Sequence, residues 1–447
     1  MHNSRTSKSG VHLHMRNKAL FPIDDLRFWK QQLLHWAAGH ELAAYYDSNR
    51  QGFPPAATHT QYHWECLAAA GAVNTLEAQA GNAFAQLEHF QQNLHNDWNF
   101  GFFGYDLKNE TERLSSDRFD GIGLPDLGFF QPRTVAGIRG QHLEIQTLEP
   151  DVEQVFREIE NAHRIGMTAE GKGPELQERM SKQVYLEKVG HIRRHIAEGD
   201  VYEMNLCQEF FAEDARLDPV AVFERLNGIG KAPFSSFMRW RDRYLLSASP
   251  ERFLKKEGQK VISQPIKGTR RRGSTPGEDD LIREELAASE KDRAENVMIV
   301  DLVRNDLARN CLPGSVRVAE LFGIYSFETV HQMVSTISGE MPPSGSALAV
   351  LRDAFPPGSM TGAPKVMAME LIEQYENTRR GLYSGAVGYF DPGGDFDFNV
   401  VIRSILYNAA DRYVSVQVGG AIVYDSVPEQ EYEECLLKAE AMRRALR

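Results

Sequence analysis

The chain has 447 residues, 42% of them hydrophobic, and a formal net charge of −12, enough for one large or two ordinary domains around a substantial core. The acidic balance argues against a general affinity for nucleic acid, whose binders carry a basic footprint, and no apolar run approaches the roughly 18–20 residues that span a bilayer. An anionic ligand would therefore need a locally positive site.

Residues 1–18 open with the polar, basic "MHNSRTSKSGVHLHM", which lacks the apolar centre of a secretory signal and is expected to be a disordered leader. Residues 19–165 mix patterns. "DLRFWKQQLLHWAAG" predicts an amphipathic helix, "HELAAYYDSN" a strand entering a turn, and "NFGFFGYDL" an aromatic strand. The polar segment 166–180 is the expected connector.

Over 181–447, Tyr185, Val189, Ile192 and Ile196 recur at helical spacing and Gly199 supplies a stop. Strands are expected at "VYEMNLCQEFF", "RYLLSAS", "KVISQPI", "SGAVGYF", "FNVVIRSILY" and "YVSVQVGGAIVY". Long helices are expected over 279–310 and 363–380. Strands clustered apart from helices predict an α+β fold rather than a doubly wound sheet.

The four cysteines, Cys66, Cys207, Cys311 and Cys435, have no CxxC spacing, and a chain of this size needs no disulfide staples, so a reducing cytoplasm is the expected compartment. Asp292 and Glu295 share one helix face. In the last helix Glu431, Glu434 and Lys438 fall within about 60° of one another. Two such carboxylate pairs beside apolar stripes can share a hard cation such as Mg²⁺, although each pair alone also describes a solvated helix face. No histidine pair has zinc-hydrolase spacing.

"FPPGSMTGAPKV" misses the phosphate-loop spacing; it reads as a turn with Thr361 capping a helix whose first turn holds Pro364, its backbone N–H groups open to an anion. The run Arg270–Arg272 reads as a solvated loop. Lys267 in "QPIKGT", taken alone, reads as a surface charge.

Together, "SPERF", "QPIKGTRRRG", "SEKDRAENVMIVDLVRNDL", "FPPGSMTGAPKVMAMELI", "GLYSGAVGYF", "VIRSILY" and "GGAIVYDSVPEQEYEECLLKAEAM" resemble the chorismate-utilising enzymes, in order and densely over 180–445. The resemblance is weaker at "YYDSN" and "GFFGYDLKNE". It implies an α+β fold of two packed, mostly antiparallel β-sheets flanked by helices, with 19–165 and 181–447 intertwined in one unit. It also implies chorismate as substrate, with Mg²⁺ held by Glu295 and Glu434 and with Asp292 and Glu431 as second-rank partners.

Arg403 and Tyr383 match positions that meet the pyruvyl carboxylate, where a guanidinium fork suits a carboxylate. Gly268, Thr269, Gly419, Gly420 and Lys438 match other substrate-binding positions, and Glu251 matches the general acid that protonates the departing 4-hydroxyl. Within the family, "PIKGT" resembles the aminodeoxychorismate synthases, whereas anthranilate synthases carry alanine in place of the lysine. The resemblance thus implies that Lys267 attacks C2 and that ammonia adds at C4 and expels it, giving 4-amino-4-deoxychorismate for folate synthesis.

Such an amine must be neutral to attack, and Mg²⁺ and the neighbouring arginines are expected to depress its pKa. No cysteine sits in a glycine-flanked elbow, so ammonia is expected from a separate glutamine amidotransferase subunit or from free ammonium. The alternatives are anthranilate synthase component I and a non-catalytic chorismate- or tryptophan-binding regulatory subunit. Three positions depart from the pattern. Glu203 stands where aminating members usually have glutamine, Gln332 where the family has histidine (His331 lies one place earlier), and Ala421 replaces the last glycine of a turn.

Overall fold

Two long antiparallel strands, Cys66–Ala78 and Leu127–Arg139, organise the computed structural model, which describes residues 15–50, 64–163 and 173–447. A register shift between Ala72 and Asn74 bends the pair, as an extra residue in one strand does. Beyond the bend the outer edge of Leu127–Arg139 takes different neighbours at its two ends, Asn99–Phe103 at Leu127–Phe130 and His142–Thr147 at Thr134–Arg139. The ladder therefore splits into two sheets.

The first sheet runs from Cys66–Ala78 through Leu42–Asp47, Phe234–Trp240, Arg243–Ser249, Ser404–Asn408 and Tyr413–Ile422 to Glu203–Ala212. The second runs from Asn99–Phe103 through Ala386–Phe390, Phe396–Val400, Arg252–Glu257 and Lys260–Gln264 to Val330–Glu340, which also pairs Ile266–Arg271 and Arg317–Ser326. All these ladders are antiparallel.

Strand alternation separates two cores. From Leu42–Asp47, Leu42 and Ala44 enter the core shared by both sheets, whereas Ala43 and Tyr45 face the helices outside the first sheet. Across the shared core the ring of Phe102 meets Trp240 edge-on at 5.3 Å. The helices Leu26–Ala38, Lys182–Glu198, Pro219–Gly230 and Pro428–Leu446 cover the outer face. The fold is α+β with two packed antiparallel sheets, as expected.

Several local expectations need correcting. The helix expected over 279–310 is two, Pro276–Ala288 and Glu290–Ala308; Ser289 between them is extended and its side chain accepts from the Asp292 N–H. The helix expected over 363–380 spans only Lys365–Tyr375, and no side chain caps it; the Thr361 hydroxyl instead donates to the Gly358 carbonyl at 3.0 Å. "FNVVIRSILY" is two strands, broken where Arg403 adopts a φ of +52°. "KVISQPI" breaks at Pro265, which cannot donate to a ladder.

Of the expected leader, residues 1–14 lie outside the described residues, while Asn17–Pro22 pairs with His142–Thr147. Residues 166–172 of the expected connector, with 164 and 165 before it, also lie outside them; Gln177–Glu178 pairs with Glu203–Ala212. Among the described residues no helix is long and apolar enough to cross a membrane.

Candidate active site

Two short crossings from one sheet to the other lie side by side. Pro250 and Glu251 join Arg243–Ser249 to Arg252–Glu257, and Val401–Arg403 join Phe396–Val400 to Ser404–Asn408. The Val400 N–H donates to the Glu251 carbonyl at 3.0 Å and the Ala248 N–H to the Arg403 carbonyl at 3.1 Å. Crossings free a residue from strand alternation, so its side chain can face a cavity.

That cavity, about 520 Å³, is lined by Glu251, Lys267, Gly268, Thr269, Asp292, Glu295, Tyr383, Arg403, Gly419, Glu434 and Lys438. A volume of this order suits a small-molecule ligand. Gly420 and Glu431 stand behind the wall: Glu431 is buried against the Ser426 hydroxyl at 2.7 Å, beside Gly420. A smaller cavity, lined by Tyr46, Asp47, Trp64 and Lys255, lies apart from these residues.

Glu251 is buried, and the loss of hydration pushes its carboxyl up to about 7, although the Ser359 hydroxyl, donating at 2.5 Å, pulls the other way. A carboxyl so placed is substantially protonated near neutral pH and can serve as an acid. Ser359 was not singled out by sequence reasoning; its only signal is its place in "FPPGSMTGAPKV". Asn205 was missed as well. Its amide donates to the Ser359 carbonyl at 2.6 Å and so holds that turn against the cavity.

Lys267 faces this acid within a ring of carboxylates. Its Nζ lies 2.5 Å from Glu203 Oε1 and 3.9 Å from Glu295 Oε2. Burial opposes its charge, but Glu203 and Glu295 outweigh that cost and hold the ammonium above the usual lysine range. The expected depression by arginines is not found, because they turn to acids of their own. Arg270 meets Asp292 at 2.8 Å, Arg271 meets Glu278 at 3.5 Å and Arg272 meets Asp279 at 2.6 Å. His331 also binds Asp279, at 2.9 Å.

Arg403 is half-buried with its charge disfavoured by burial, and among the described residues no acceptor engages its guanidinium. An open fork of this kind is suited to a ligand carboxylate. Opposite it, Lys438 ties Glu434 at 2.6 Å and the Gly419 carbonyl at 2.8 Å. Burial works to raise Glu434, yet Lys438 overcomes it and keeps the carboxyl below the ordinary range. Glu295 is pushed up to about 7, chiefly by burial.

These donors are all oxygens, the type that suits Mg²⁺. A Cβ on Gly420 would stand 3.4 Å from Glu431 and 3.6 Å from Glu434, so the glycine keeps their side of the site clear. The four acids do not close into a cage of three ligands within 4.8 Å; among the described residues only the half-buried His195 with the exposed Glu198 and Asp200 does, and both ring nitrogens of His195 already meet Asp200 and Tyr375. An ion held here would draw one carboxylate from each helix, with water and ligand completing its shell.

The sequence pattern described as chorismate binding enzyme matches residues 42–444. The chain belongs to that family. As a chorismate-binding enzyme it is 40% identical over 336 residues to the aminodeoxychorismate synthase component 1 of Salmonella typhimurium, covering 75% of this chain and 73% of that one. It is 34% identical over 366 residues to the anthranilate synthase component 1 of Cereibacter sphaeroides, covering 77% and 73%. Among solved structures, the anthranilate synthase component I of Streptococcus pneumoniae superposes with a TM-score of 0.73 at 26% identity, over 84% of this chain and 91% of that one.

Proposed function

We propose that this chorismate-binding enzyme is an aminodeoxychorismate synthase component I, converting chorismate and ammonia to 4-amino-4-deoxychorismate for 4-aminobenzoate and folate synthesis. The observation that carries the reading is a buried lysine, Lys267, in one cavity with the protonatable Glu251. Similarity to component 1 of Salmonella typhimurium supports it, and that numbering suggests a partner subunit, here a glutamine amidotransferase. The reducing cytoplasm suits four buried free thiols.

In this reading Lys267 first gives its proton to water. The neutral amine bonds to C2, both ring double bonds shift in concert, and the C4–O bond breaks. The departing hydroxyl takes the Glu251 proton and leaves as water. Ammonia then bonds to C4, both double bonds shift back, and the C2–N bond breaks to release Lys267. The new C4 ammonium returns a proton to Glu251.

Arg403, with Tyr383 beside it, receives the pyruvyl carboxylate. Gly268, Thr269, Gly419, Gly420 and Lys438 shape the remaining contacts. Glu295 and Glu434, backed by Asp292 and Glu431, would hold Mg²⁺, which when bound neutralises the ring carboxylate.

The test is incubation of the purified chain with chorismate, Mg²⁺ and ammonium, the product being identified by mass and ultraviolet spectrum. 4-Amino-4-deoxychorismate is expected, and its loss in Lys267→Ala. Anthranilate as product, or undiminished turnover by that variant, overturns the reading.

A further inference from the structure

Lys267 occupies an irregular place in its strand. The ladder with Val330–Glu340 pairs Ile266 with Val334 and Thr269 with Gln332, so Lys267 and Gly268 together face a single residue, and Gly268 adopts a φ of +89°. A bulge re-aims a side chain but does not hold a flexible four-carbon stem, which keeps its rotamer freedom. The lysine needs a fixed point for its far end.

Glu203 has the attributes of that point. Its Oε1 meets Nζ at 2.5 Å, it is 1% exposed, and it does not line the cavity that Lys267 lines, so it stands behind the wall. Its other oxygen is buried without a hydrogen-bond partner, and among the described residues no group but Lys267 donates to this carboxylate. Its backbone is clamped on both sides. Glu203 pairs with Ala363, the Tyr202 N–H donates to the Ala363 carbonyl at 2.7 Å, and the Asn205 N–H to the Thr361 carbonyl at 2.8 Å. Met204 and Asn205 also pair with Ile422 and Ala421. A Cβ on Gly362 would lie 2.1 Å from the Glu203 carbonyl oxygen, so the strands approach as closely as they do only because that position is glycine.

We propose that Glu203 is the positioning residue of Lys267, and that it acts through its acceptor oxygen rather than its charge. The reasoning is stereochemical and rests on Lys267 being the nucleophile. A neutral amine has two N–H bonds and one lone pair in tetrahedral directions. When one N–H points back to Glu203, the lone pair points forward into the cavity. A proton handed to Glu203 itself would leave the lone pair facing backward, so the proton leaves by another route and Glu203 only aims. A carboxamide offers the same acceptor; an isosteric thioether does not.

The experiment follows formation of the Lys267 adduct, chorismate less water, by intact-protein mass spectrometry with Mg²⁺ and without ammonia. Chorismate affinity is measured in parallel for Glu203→Gln and Glu203→Met. Glu203→Met is expected to bind chorismate as the wild type does but to form adduct about 100-fold more slowly, the cost of misplacing a reacting atom by roughly 1 Å. Glu203→Gln is expected to recover most of that loss. Wild-type adduct rates in Glu203→Met overturn the proposal, as does a Glu203→Gln no faster than Glu203→Met, which would assign the role to charge. If Glu203→Met does not fold, Glu203→Ala with added formamide decides: restored adduct formation supports an acceptor and no restoration overturns it. Failure of the underlying reading looks different, since wild type and Lys267→Ala would then turn over alike with no adduct in either.

Discussion

Ser359 tunes the acid. Burial raises the Glu251 carboxyl to about 7, and the bond from the Ser359 hydroxyl favours the ionised form and so limits the rise. The acid is active while protonated and the Lys267 amine while neutral; with the amine held above the usual lysine range, turnover should rise with pH up to the Glu251 value and level off there. Without the hydroxyl the carboxyl titrates higher still. Ser359→Ala is therefore expected to move the acidic limb of the kcat profile upward by about half a unit or more, in proportion to one lost hydrogen bond of about 1 kcal/mol. A limb that stays in place or moves down would mean that Glu251 is not the group being titrated.

At the scale of elements, adjacent glycines in Tyr413–Ile422 make opposite demands. A Cβ on Gly419 would fall 2.5 Å from Cys207 Sγ and 2.6 Å from the Leu206 carbonyl in the neighbouring strand, and a backbone carbonyl inside a ladder cannot yield. The Cβ of Gly420 would meet side chains at ordinary contact distances of 3.4 Å and beyond. Gly419→Ala is expected to lower the urea midpoint markedly, by strain of the 1–3 kcal/mol typical of overpacking, while Gly420→Ala unfolds at the wild-type midpoint. Equal midpoints would refute the strand packing.

Elements were legible in the sequence where pattern and punctuation agreed. Gly199 ends its helix with a φ of +88°, and alternation located strands of both sheets, whereas the two-sheet arrangement came with the motif resemblance. They were not legible where tertiary contacts decide. Ser289 breaks a continuous helical pattern because its side chain caps the next helix. The turn at Arg403 is imposed by the sheet crossing, for no glycine marks it. The meeting of Lys267 with Glu203 joins residues 64 apart, so local spacing left Lys267 a surface charge. The motif resemblance brought the site residues together, but the carboxylate that binds the lysine appears only in three dimensions.

At the scale of the whole molecule the candidate site lies at a seam. Glu203 comes from the first sheet, Lys267 from the second, and Glu251 and Arg403 from the crossings between them. Packing between the sheets therefore sets the distances within the site. Trp240, whose ring meets Phe102 across that packing, is the contact to remove: Trp240→Ala is expected to cost about 3–5 kcal/mol in urea unfolding, and a loss under about 1 kcal/mol would deny the interface this role.

The four thiols test the same packing without mutation. All are free and buried, and burial pushes each upward, Cys435 to about 11 and Cys207 to about 12, with Cys66 further and Cys311 in the same direction. Thiolate is the reactive form, so both access and ionisation oppose modification. Cys66 and Cys207 lie on strands of the first sheet, Cys311 follows the helix carrying Glu295, and Cys435 sits next to Glu434. A chromogenic aromatic disulfide should thus release no rapid colour from the native chain and four equivalents once guanidinium unfolds it. A native thiol reacting within minutes at pH 8 would show that the seam opens readily, and its position would say which wall of the cavity moves.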